Sequence, residues 1–83
     1  MAWREADESL IRDYEFKDFV EAMAFVNRVA DAAEAANHHP DILVHGWNKV
    51  RLTLTTHDAG NTITDSDRAM AERIDGLPLR SSP

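Results

Sequence analysis

The alternation of apolar and polar positions changes period three times along the chain. Trp3 to Ala6 and Ser9 to Phe16 read as two strands, with Asp7-Glu8 as a tight turn between them. In the second strand Leu10, Arg12, Tyr14 and Phe16 share one face, and Ile11, Asp13 and Glu15 share the other; Arg12 breaks the clean alternation. The period then becomes helical. Asp18 is a good N-cap, and Glu21 three residues later completes a capping-box pattern. Phe19, Ala22, Met23, Val26, Val29, Ala30 and Ala33 recur at helical spacing. Phe25, Ala32 and Ala36 widen the apolar surface to a second side, which predicts a second partner beyond the helix's own sheet. Asn37 tolerates the left-handed backbone and suits the helix exit, and Pro40 forbids continuation.

Beyond Pro40 the period returns to two. Ile42–Trp47 and Val50–His57 read as a hairpin turning near Asn48-Lys49. Val50, Leu52 and Leu54 form its apolar side, while Arg51, Thr53, Thr55 and His57 form the polar one. Asp58 to Asn61 form a loop around Gly60. Thr64 then caps a helix of about ten residues that turns Ala69, Met70 and Ile74 inward. The sum is an α+β domain of order ββαββα: a four-stranded antiparallel sheet with helices packed on one face. It occupies residues 1–76, and 77–83 reads as a flexible C-terminal tail.

Composition narrows what such a domain does. At 83 residues the chain is one domain with a marginal core, so self-association is expected. There is no cysteine, hence no disulfide and no thiol chemistry. A net charge of −6 opposes binding to nucleic acid. No apolar run approaches the ~20 residues of a membrane span, and the N-terminus lacks a signal-peptide pattern, so the expectation is a cytoplasmic protein.

The histidines carry the candidate chemistry. His38-His39-Pro40 lies where the long helical pattern stops, and His57 lies at the end of a strand pattern. Imidazole, with an ordinary pKa of about 6.5, both gives and takes protons near neutral pH. Each residue also has a plainer reading. The histidine pair could favour a helix C-terminus by its charge, and His57 could be an exposed strand-end residue. Glu34 precedes His38 by four, so the two could form a solvated pair or a carboxylate that orients the imidazole. Asp67 follows Thr64 by three and serves equally as a capping-box carboxylate or a site residue. Trp47 is a hairpin aromatic or the wall of a pocket for a flat ring. His45 reads as a solvated strand residue. Zinc is disfavoured, because adjacent histidines rarely converge on one ion.

The stretches Phe16-Lys17-Asp18-Phe19, Glu34, Asn37-His38-His39-Pro40, Trp47-Asn48-Lys49-Val50 and Thr53-Leu54-Thr55-Thr56-His57, taken in order, resemble the pterin-4a-carbinolamine dehydratase family. The family's acidic residue, His-His-Pro, aromatic, distant His and later Asp fall on Glu34, His38, His39, Pro40, Trp47, His57 and Asp67. The resemblance runs from about Trp3 to Asp75. It departs from the family in lacking the usual N-terminal helix and in the loop Asn61-Thr62-Ile63-Thr64, where Gly-Leu-Thr is common.

The resemblance implies loss of water from a 4a-hydroxytetrahydropterin to give the quinonoid dihydropterin, in recycling tetrahydropterin used by an aromatic amino acid hydroxylase. It implies His38, His39 and His57 as catalytic residues, with His38 and His57 moving the protons. Glu34, Pro40, Trp47 and Asp67 would bind or position substrate. No metal or cofactor is implied. A homodimer or homotetramer through the long helix and sheet is expected. The alternative on the same fold is a non-catalytic dimerisation cofactor or assembly factor.

Overall fold

The computed structural model of the chain describes residues 3–56, 59–60 and 62–79. Six elements follow in the predicted order: β1 (Arg4–Ala6), β2 (Ser9–Glu15), α1 (Phe19–Ala36), β3 (Asp41–His45), β4 (Lys49–Leu54) and α2 (Asp65–Asp75). The strands form one antiparallel sheet in the order β1-β2-β4-β3. Leu10, Tyr14, Val50, Leu52 and Leu54 share its buried face. Phe25 of α1 packs there against Tyr14 and Phe16, at ring-centroid distances of 4.6 and 5.2 Å, and Met70 and Ile74 of α2 complete the core. The opposite face is charged: Asp13 accepts from Arg51 at 2.7 Å and from Arg4 at 2.9 Å.

Arg12, the residue that broke the alternation, lies at the edge of the buried face. Its guanidinium sits 4.5 Å from the Tyr14 ring centroid and meets Asp75 at the end of α2 at 2.5 Å. The stem covers apolar surface while the charged head reaches a carboxylate, so a charge is tolerated in a core phase. Asp7 and Glu8 both take positive φ, 51° and 59°, the backbone that a two-residue hairpin needs.

α1 begins as predicted, with Asp18 accepting the Glu21 N–H at 2.8 Å; the Glu21 carboxylate reaches back to the Lys17 N–H at 3.0 Å. Its buried stripe differs from the expected one. Ala22, Phe25, Val29, Ala32 and Ala33 face the core, whereas Phe19, Ala30 and Ala36 are exposed. Phe25, the bulkiest side chain of the helix, fits between Tyr14 and Phe16 and sets the rotation. Phe25 and Ala32 therefore belong to the domain's own core and not to a second apolar side. At the exit Asn37 is left-handed (φ 52°, ψ 41°), Asn37 N–H bonds Glu34 O at 3.3 Å, and His38 N–H bonds Ala33 O at 3.1 Å. This Schellman turn fixes the direction in which the two histidines leave the helix.

The β3–β4 turn is Gly46-Trp47-Asn48, one step earlier than expected. Asn48 is drawn inward: its side-chain amide donates to Phe16 O at 2.9 Å, and its carbonyl accepts the Phe16 N–H at 2.8 Å. That anchor leaves Trp47 at the tip, with φ 59°. β4 ends at Leu54, after which Thr56 pairs with Thr62 as an isolated bridge. In α2, Ala71 is buried and Ala69 is exposed, reversing the expectation for Ala69. Leu77 packs on the core and Pro78 O accepts from Arg28 at 3.3 Å.

Candidate active site

The ends of α1 and β4 and the start of α2 meet at one end of the fold. Asp67 is the centre of this meeting and is completely buried. Its Oδ1 lies 2.6 Å from His38 Nε2. Its Oδ2 accepts from the Thr56 hydroxyl at 2.7 Å and from the Thr64 N–H at 2.9 Å. The Thr64 and Thr56 hydroxyls are 2.7 Å apart, so Thr64 can donate to Thr56 while Thr56 donates to Asp67. One carboxylate thus caps α2 and grips His38.

Burial pushes the Asp67 carboxyl up, but the bonds from His38, Thr64 and Thr56 outweigh it and hold the group below the usual carboxylate range. An ionised carboxylate only accepts, so His38 Nε2 is the donor of this bond. The stability consequence has a definite sign. A lowered folded-state value contributes stability that is present above the unfolded value, about 3.9, and is lost as pH falls through the folded one. Urea midpoints between pH 5 and pH 2 should therefore fall less steeply for Asp67→Asn than for wild type; equal slopes would show that Asp67 does not carry this linkage.

Glu34 does not serve His38 as the four-residue spacing implied. The Schellman turn takes His38 off the helical phase, and Glu34 Oε2 instead meets His39 Nε2 at 2.5 Å. The adjacent histidines thus use carboxylates from different elements. The His38 pair is largely enclosed, whereas the His39–Glu34 pair is exposed. Pro40 follows directly and leads into β3.

Trp47 is not brought to these residues within one chain. It lies at the far end of β3, roughly 13 Å or more from Pro40 at ~3.3 Å per strand residue, and is 62% exposed. His57 lies outside the described residues; its chain neighbour Thr56 is bonded to Asp67. His45 is exposed on the edge strand. Thr56 is the site residue the sequence reading missed. The signal was present, because Thr56 continues the inward phase of Val50, Leu52 and Leu54.

An open pocket of about 290 Å³ adjoins His38, lined also by Ala36, Asn37, Ser66, Met70 and Arg73. A larger hollow of about 530 Å³, bordered by Tyr14, Lys17 and Glu21, contains no histidine. Of the two, the smaller is the one lined by a histidine. Among the described residues, no three His, Asp or Glu side chains are grouped to hold a metal, and no helix is long and apolar enough to cross a membrane.

The fold and site define an α+β domain whose adjacent histidines are each gripped by a carboxylate at a helix exit. The chain belongs to the Pterin 4 alpha carbinolamine dehydratase family, whose sequence profile matches residues 1–77. A relative from Thermomicrobium roseum, named for the same family, is 54% identical over 72 residues, spanning 87% of this chain and 75% of its own. One from Koribacter versatilis, named likewise, is 53% identical over 75 residues, covering 90% and 78% of the two chains. The transcriptional coactivator/pterin dehydratase from Brucella melitensis superposes with a TM-score of 0.82 at 33% identity, over 96% of this chain and 83% of that one. A pterin dehydratase-like protein identified as a RuBisCO assembly factor in the alpha-carboxysome superposes with a TM-score of 0.76 at 26% identity, over 98% and 94%.

Proposed function

We propose that this protein removes water from a 4a-hydroxytetrahydropterin, giving the quinonoid dihydropterin, by histidine acid–base catalysis. The observation that carries the reading is the enclosed Asp67–His38 pair beside an open pocket, in a chain of this family. The reaction is redox-neutral and needs no metal. The carbon–oxygen bond at C4a breaks as a general acid protonates the departing hydroxyl. The ring nitrogen's electron pair becomes the new carbon–nitrogen double bond, and that nitrogen gives its proton to a base. His38 and His57 are assigned these two transfers. His39, oriented by Glu34, positions the substrate, with Pro40 beside it.

In the cell the reaction would recycle tetrahydropterin in the cytoplasm, after an aromatic amino acid hydroxylase. We assign the working form as a homodimer or homotetramer. Within an assembly a second copy could bring Trp47 towards a pterin, which the single chain does not.

The test is the rate of 4a-hydroxytetrahydropterin dehydration, followed by absorbance, with and without the protein. A large acceleration supports the reading. A well-folded protein that leaves the spontaneous rate unchanged would sink it. A second reading would then lead: a non-catalytic assembly or coactivator role, favoured by the exposed side chains of Phe19, Val20, Leu43 and Trp47.

A further inference from the structure

The Thr56 hydroxyl has no part in the chemistry just described, yet it bonds the carboxylate at the centre of the site. It donates to Asp67 Oδ2 at 2.7 Å, on the same carboxylate whose other oxygen holds His38. The Thr56 backbone N–H bonds Thr62 O at 3.0 Å, closing the base of the loop that joins β4 to α2. We infer that Thr56 is a positioning residue: its hydroxyl fixes the Asp67 carboxylate that aims His38, and so sets the distance between the α1 exit and the end of β4, where His57 follows in the chain. The catalytic half of this inference rests on the dehydration reading; the linkage of Thr56 to Asp67 and His38 does not.

Among the described residues, three groups bond Asp67. The α1 exit presents His38, β4 leads to Thr56, and the α2 cap presents Thr64. Arg68, next in the chain, is exposed and paired with Glu5 at 3.2 Å. No second cation among these groups compensates when the hydroxyl is removed. A carboxylate that loses a hydrogen-bond donor holds its proton more tightly.

The experiment compares wild type, Thr56→Val and Thr56→Ser. The Asp67 carboxyl is titrated by carbon NMR, and dehydration kinetics are measured on the same samples. Thr56→Val should lower the Asp67 acid dissociation constant roughly tenfold, which is one pKa unit. It should also lower kcat roughly tenfold, a part of the usual acid–base contribution, with KM within about twofold. Thr56→Ser retains the hydroxyl and should restore both. A purely structural role would leave the titration unmoved, and an unmoved titration overturns the inference. If Thr56→Val does not fold, the wild-type spectrum decides. A slowly exchanging Thr56 hydroxyl proton close to the Asp67 side chain supports the linkage, and a freely exchanging one overturns it. If the wild-type protein proves inert towards the carbinolamine, a shifted Asp67 titration still upholds the linkage while the dehydration reading falls.

Discussion

Replacing His38 and His57 together by alanine is expected to lower kcat for dehydration by about 10²–10⁴-fold with the fold intact, the usual worth of positioned acid–base groups. The surroundings of His38 prepare it for proton transfer. Its Nε2 is engaged by a carboxylate and its backbone is fixed by the Schellman turn. Its ring borders an open pocket. Such an imidazole is held in one orientation. Removing it takes away a proton carrier without leaving a large hole in the apolar core, because His38 is not among the buried core residues. The single variants divide the roles: His38→Ala should cost most of the effect by itself, because acid and base act in one step. His39→Ala should act more on KM, since the exposed His39–Glu34 pair suits positioning. Stopped-flow absorbance with each variant, alongside circular dichroism, checks this. A loss of less than about threefold in the double variant would remove the histidines from the chemistry.

Asp67→Ala is expected to destabilise the domain by about 3–5 kcal/mol, because it removes a buried carboxylate that accepts three hydrogen bonds. Three donors lose their acceptor at once: His38 Nε2–H, the Thr56 hydroxyl and the Thr64 N–H. Each buried donor left unpaired costs about 1–3 kcal/mol. The cap of α2 goes with them. Small domains hold only about 5–15 kcal/mol in total, and each kcal/mol moves Tm by about 4–8 °C at this size. Thermal unfolding should therefore begin well below the wild-type range. Asp67→Asn retains an acceptor oxygen and should lose less. A Tm within about 5 °C of wild type for Asp67→Ala would mean that the end of the fold is held by other contacts.

Much of this was legible in the residues. The two periods placed all six elements, and Asp18, Asn37 and Thr64 marked helix ends that the structure retains. What escaped was three-dimensional. Periodicity alone cannot choose among neighbouring apolar stripes on an alanine-rich helix, and Phe25 chose by fitting between two rings on β2 and the strand's end. The hairpin shifted because Asn48 satisfies the Phe16 backbone, a contact 32 positions away in the chain. At the site, sequence spacing paired Glu34 with His38. Asn37 turned the chain out of helical register and exchanged the partners, Glu34 with His39 and Asp67 with His38. Thr56 was visible only as a hydroxyl in an apolar phase.

The left-handed turn at Asn37 also makes α1 a ruler. Adding one residue to the helix ahead of this turn would swing its exit by about 100° and advance it by about 1.5 Å. His38 would then leave Asp67, whereas the His39–Glu34 pair, carried on the same helix end, would turn with it. Insertions within α1 are therefore proscribed in units smaller than whole turns, whereas the charged outer face of the sheet sets no such gauge.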